Sequence, residues 1–281
     1  MHEDIQWFIG IIVLAAILWW SGGGTLKNMA RSGIKSTETT LVPKSSPTPV
    51  ISPAPIDPTV SPLRGKVAIV SVSRASDPNR EYLTLRAAKE NTAPVTLSGL
   101  TIGSAVAGTS YTLPRAWILP FPGSGPGQEI AALAPGASAY IISGNSPMGF
   151  SFETNLCTGY LGIKTSYSPS LPRSCPAPTR EPLPTPPNQL SDRCYDFLKS
   201  VPSCVTPQIP IGLASDGSCQ AYIVKNLNYD ACVRIHKGEP RFFRDAWHLY
   251  LNAGSRLWRE KRETLELRDQ DGKVISAYSY N

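Results

Sequence analysis

Six cysteines, Cys157, Cys175, Cys194, Cys204, Cys219 and Cys232, lie in one stretch of a 281-residue chain. None forms the close Cys-x-x-Cys pair that a tetrahedral zinc finger or ribbon needs. Their even number points instead to disulfides, and disulfides to an oxidising compartment outside the cytoplasm. Three histidines remain for acid–base chemistry: His2, His236 and His248. A Ser-His-Asp relay would draw on Asp245 with His236 or His248. No Gly-x-Ser-x-Gly elbow accompanies them, and His248 sits in an aromatic run where packing is the expected role. The spacings His-x-Glu and His-Glu-x-x-His are absent. Asp269-Gln-Asp-Gly opens like a calcium loop but lacks the downstream Glu, so a hairpin turn is expected there. Gly123-Ser-Gly-Pro-Gly is interrupted by proline and has no Lys-Ser/Thr after it, which excludes a phosphate loop. These absences predict a chain without catalysis, bound metal or cofactor.

Binding is then the chemistry left to the side chains. Arg241, Phe243 and Arg244 in one cluster, and Arg259, Lys261 and Arg262 in another, combine cations with aromatic neighbours. That mixture suits polyanions, glycans or protein hot spots. The competing role for Phe242, Trp247 and Trp258 is to fill the joint between two parts of the fold. Net charge is +6 with a pI near 9.0, but the basic residues are spread along the chain, which favours solubility over a dedicated nucleic-acid patch.

Short helices must carry several of the cysteines. Ser191-Asp-Arg-Cys-Tyr-Asp-Phe-Leu and Gly217-Ser-Cys-Gln-Ala-Tyr-Ile-Val each show a cap and apolar residues at helical spacing. Folded back as an antiparallel hairpin, they set Cys194 opposite Cys232 and Cys204 opposite Cys219. Cys157 and Cys175 then enclose a loop of turn residues. The sequence leaves other connectivities open, but helices with so little core need such staples to persist.

At the other end, residues 5–24 are almost wholly apolar, long enough as a helix to cross the roughly 30 Å bilayer core, with Trp7 near one end and Trp19-Trp20 at the other. Met1-His-Glu-Asp lacks the positive start of a cleaved signal, so a retained transmembrane helix is expected. Residues 25–64, rich in Pro, Ser and Thr, form an extended linker. Lys27, Arg31 and Lys35 after the helix place the large domain inside by the positive-inside rule, whereas the cysteines place it outside. The cysteines decide: a single-pass protein of the cell membrane with its carboxy-terminal domain extracytoplasmic.

From Gly65 onward the pattern is strand-like. With 27 prolines and only 17% charged residues, the composition fits a mainly β protein. Alternating runs occur at Lys66–Ser73, Glu81–Arg86, Val95–Ile102, Tyr111–Leu119, Ile130–Ile142 and Glu263–Tyr280. Four motifs in order, Glu81-Tyr-x-x-Leu85, Leu97-Ser-Gly-x-x-Ile102, Leu133-x-Pro-Gly136 and Leu267-x-Asp…Asp-Gly-x-Val274, resemble the lamin-tail domain family. That resemblance implies an immunoglobulin-like β-sandwich, known from nuclear lamins and bacterial exported proteins, in two parts, residues 65–160 and the closing strands 246–281. A Pro-rich, Cys-containing helical insertion, 161–245, would separate them. It also implies a binding or scaffolding role at the cell surface toward a protein or cell-envelope polymer, with DNA or another polyanion as the alternative partner.

Overall fold

The computed structural model describes residues 59–119, 127–163 and 165–281. The membrane segment expected at 5–24 and the linker as far as residue 58 lie outside the described residues. Among those described, no helix is long and apolar enough to cross a membrane.

Thirteen strands among the described residues make a mainly β fold. Seven form one sheet: β1 (Val67–Ser73), β2 (Tyr82–Ala87), β9 (Ser138–Ile142), β11 (Phe243–Tyr250), β10 (Phe152–Asn155), β6 (Ala116–Trp117) and β7 (Gln128–Glu129), in that spatial order. Four form a second sheet in the order β13 (Val274–Tyr280), β12 (Glu263–Arg268), β4 (Thr101–Ser104), β5 (Thr109–Thr112), and a short ladder pairs β3 (Val95–Thr96) with β8 (Ala132–Leu133). Strand periodicity decides what each face meets. In β12 every second residue is buried, which sends Leu265 and Leu267 inward. They share one apolar core with Leu83 and Leu85 of β2, Ala139 and Ile141 of β9, Trp247 and Leu249 of β11, and Trp258. Residues from both ends of the strand-forming sequence thus fill a common core.

The seven-stranded sheet is also covered on its outer face. Tyr140, His248, Phe152 and Tyr250 alternate to that side, and Leu161, Tyr167 and Leu171 lie over them. Phe152 stacks on the His248 ring with centroids 5.3 Å apart, and Tyr140 approaches the same ring at 5.2 Å. A sheet buried on both faces explains why the second half of β11, Ala-Trp-His-Leu-Tyr over 246–250, does not alternate between apolar and charged residues.

Two of the expected strands are broken. Gly99, at φ +91°, turns the chain between β3 and β4, so the run 95–102 serves two different sheets. Pro114 has no amide hydrogen for a ladder, and the run 111–119 divides into β5 and β6 around it. The Asp-Gly turn between β12 and β13 forms as expected: the Asp269 Oδ1 accepts the amides of Asp271 and Lys273 at 3.0 and 2.8 Å.

The cysteine-bearing region holds three α-helices rather than two: α1 (Asp192–Ser200), α2 (Gly217–Asn226) and α3 (Tyr229–His236). Each has a side-chain cap: Ser191 Oγ accepts the Cys194 amide, Asp216 Oδ1 the Cys219 amide and Asn228 Oδ1 the Ala231 amide.

All six cysteines are in disulfides, but the partners are Cys157–Cys232, Cys175–Cys204 and Cys194–Cys219. None of the three expected pairs forms. The helical hairpin assumed for them is absent because α1 and α2 begin side by side: the Ser191 hydroxyl donates to Asp216 Oδ2 at 2.7 Å, cap to cap. Cys194 and Cys219 occupy the same position, three residues after their caps, and meet. After α2 ends at Asn226, the new helix α3 carries Cys232 away to Cys157, just beyond β10. Cys204, at φ 64°, turns toward Cys175.

Candidate functional site

Three groups of buried polar side chains among the described residues differ in what they are free to do. The first is inside the apolar core that the sheets share. Glu81 is fully buried at the start of β2, with Oε2 accepting the Ser143 hydroxyl at 2.6 Å and the Leu257 amide at 2.8 Å. Its Oε1 has the Arg256 Nε at 3.5 Å, an ion pair beyond hydrogen-bonding geometry. Glu263 accepts from the Ser104 hydroxyl and the Thr264 and Arg259 amides. Both carboxylates pin the segment 251–262 to the strands. Glu81 Oε2 and both oxygens of Glu263 are occupied by the chain's own donors, and Glu81 Oε1 faces Arg256.

The second is in the helical region. His236, at the end of α3, has Nε2 3.0 Å from Oε2 of the fully buried Glu181 and Nδ1 2.5 Å from Glu239. Burial alone would push this imidazole down, but the hydrogen bonds to Glu239 and Glu181 outweigh it and hold its pKa above the ordinary value. Burial, and then the charge of Glu181, pushes the Tyr160 and Tyr222 hydroxyls up to about 12. Glu181, Cys232 and His236 bring possible metal-ligating atoms within 4.8 Å of one another. The Cys232 sulfur is bonded to Cys157, and both imidazole nitrogens face carboxylates, so the donor set does not suit a metal ion. What it does is latch α3 to the proline-rich segment through Glu181.

The third is an open cleft of about 460 Å³ on the outer face of the seven-stranded sheet, lined by Tyr140, Thr154, Leu171, Ser174, Arg244 and His248 among others. His248 is 1% exposed, and neither its Nδ1 nor the Ser174 hydroxyl has a hydrogen-bond partner. Burial drives the His248 pKa down to about 3. Asp245 and either histidine were the only catalytic relay the sequence offered. His236 and His248 sit in these two separate places, one latched between carboxylates and one packed among aromatic rings.

The six residues expected to form a binding surface do not come together. Arg241, Phe243 and Arg244 stand exposed at the start of β11, with Phe243 38% exposed. Arg259, Lys261 and Arg262 are exposed in the segment beyond its other end. Arg244 and Tyr250 alone are separated by about 20 Å of extended strand. Phe242, Trp247 and Trp258 are buried and fill the interior, as the packing role requires. The cleft of His248 and Ser174 was not anticipated. Its one sequence signal was a lone His at an outward position in the apolar second half of β11.

No family model, curated protein or solved structure matches this chain.

Proposed function

We propose that the chain is a membrane-anchored, extracytoplasmic module of the lamin-tail, immunoglobulin-like kind, which binds a cell-envelope polymer or protein and performs no turnover. The observation that carries this reading is the disposition of the six cysteines. All are oxidised, and the Cys157–Cys232 bond ties α3 to the end of β10, fixing the helical region on the sheet. Structural disulfides of this density belong to an oxidising compartment, and a fixed cleft between two rigid elements suits recognition. The buried acids support the non-catalytic part, since Glu81, Glu263 and Glu181 are engaged by the chain's own donors.

Co-sedimentation of the full oxidised chain with isolated cell envelopes tests the reading. Retention that survives about 0.5 M salt is expected. Binding to duplex DNA that falls steeply with salt, with no envelope retention, would favour a polyanion partner instead. Retention by neither would contradict a binding role.

A further inference from the structure

The cleft beside His248 is built from opposing requirements, and one ligand class meets all of them. Segment 170–174 crosses β9, β10 and β11 here, leaving about 460 Å³ of space, within the usual size of small-ligand sites. Two buried polar atoms, Nδ1 of His248 and Oγ of Ser174, lack partners, although buried polar groups are nearly always satisfied. Arg244 stands exposed and lines the same cleft, and no carboxylate among the described residues pairs with it. Tyr140 and Leu171 add an apolar wall.

We propose that this cleft binds an acidic sugar of the uronic-acid type, with its carboxylate on Arg244, its hydroxyls on His248 and Ser174, and a C–H face against Tyr140. A guanidinium fork matches a carboxylate in two hydrogen bonds. Because burial keeps His248 uncharged at neutral pH, its Nδ1 offers a neutral site suited to a hydroxyl. A nucleic acid fits less well, since a phosphate backbone calls for several cations in series and the described residues of the lining supply one. A divalent cation suits the cleft poorly, because no carboxylate lines it among the described residues. The inference rests on the reading of the chain as an envelope-binding module and names the group it recognises.

Ligand-observed saturation-transfer NMR on the full oxidised chain, with free glucuronate as probe and glucose as the neutral comparator, decides it. Saturation of the glucuronate ring protons is expected, with glucose at least tenfold weaker. Arg244→Gln should weaken glucuronate at least tenfold. His248→Phe keeps an aromatic ring between Phe152 and Tyr140 but removes the nitrogen, and should weaken it likewise, with disulfides intact in both variants. No transfer to glucuronate, or equal transfer in wild type and both variants, would overturn the proposal. Envelope co-sedimentation measured on the same samples separates the failures: envelope retention with silent glucuronate discards the cleft alone, and loss of both discards the module as well.

Discussion

The carboxylate of Glu81 accepts the backbone amide of Leu257 at 2.8 Å, joining residues 176 positions apart in the chain. Through this bond the first strands hold the segment that leads into the closing hairpin. The same oxygen takes the Ser143 hydroxyl, so three parts of the chain converge on one buried atom.

Removing that carboxylate leaves a buried amide and a buried hydroxyl without acceptors. Glu81→Leu should lower stability by about 3 kcal/mol, and Glu81→Gln, which keeps an oxygen, by about half as much. Urea unfolding followed by tryptophan fluorescence measures both. Equal midpoints for wild type and Glu81→Leu would show that the segment 251–262 is held by other contacts.

Gly159 sits against the Cys175–Cys204 bond. A Cβ there would collide with Sγ of Cys204 and come within 2.9 Å of the Pro172 carbonyl oxygen. Gly162, three residues on, meets only the Leu171 side chain, at 3.7 and 4.0 Å. Gly159→Ala should cost about 2 kcal/mol or more through overpacking, while Gly162→Ala should be near neutral. Thermal unfolding of the two variants side by side checks the difference, and equal melting temperatures would contradict it.

The three disulfides close chains of different length: 75 residues for Cys157–Cys232, 29 for Cys175–Cys204 and 25 for Cys194–Cys219. In the chain-entropy account these contribute about 4.5 kcal/mol for the longest and about 3.5 for the other two. Paired Cys→Ala replacements should therefore rank with Cys157/Cys232 as the most destabilising. Denaturant midpoints give the order, and a dominant loss from Cys194/Cys219 would mean that local strain or residual structure outweighs loop closure.

His236 couples folding to pH. Its pKa is raised in the folded chain above the unfolded value of 6.5, so protonation favours the folded state. The contribution is fully present below about pH 6.5 and is lost as pH rises through the folded pKa. His236→Gln should thus lose most stability, relative to wild type, near pH 5 and least above pH 8. Chemical unfolding at both pH values tests the sign. A gap that widens with pH would show that Glu181 and Glu239 do not hold the charged imidazole.

Local chemistry made much of this fold legible. Alternation in Glu263–Arg268, the Asp-Gly turn and the caps at Ser191 and Asp216 each follow from a few neighbouring residues. The disulfide partners did not, because they depend on how helices sit against one another. Even so, a signal was present: Cys194 and Cys219 both stand three residues after a cap, and helices that begin side by side bring such positions together. The third helix was marked as well, by Asn228 as a cap and by Tyr229, Cys232, Val233 and His236 at helical spacing. The cleft beside His248 was beyond reach, since it needs segment 170–174 to lie across a sheet face, a long-range contact no local pattern encodes.

The central claim is that this chain works as an oxidised module on the outer side of a membrane, and thiol labelling in intact cells tests it most directly. With a membrane-impermeant alkylating reagent, the account predicts no labelled cysteine before treatment with an impermeant reductant and all six labelled after it. Peptide mapping of the unreduced chain should return Cys157–Cys232, Cys175–Cys204 and Cys194–Cys219. Six free thiols that become reactive only after lysis would contradict the account, placing the domain in the cytoplasm.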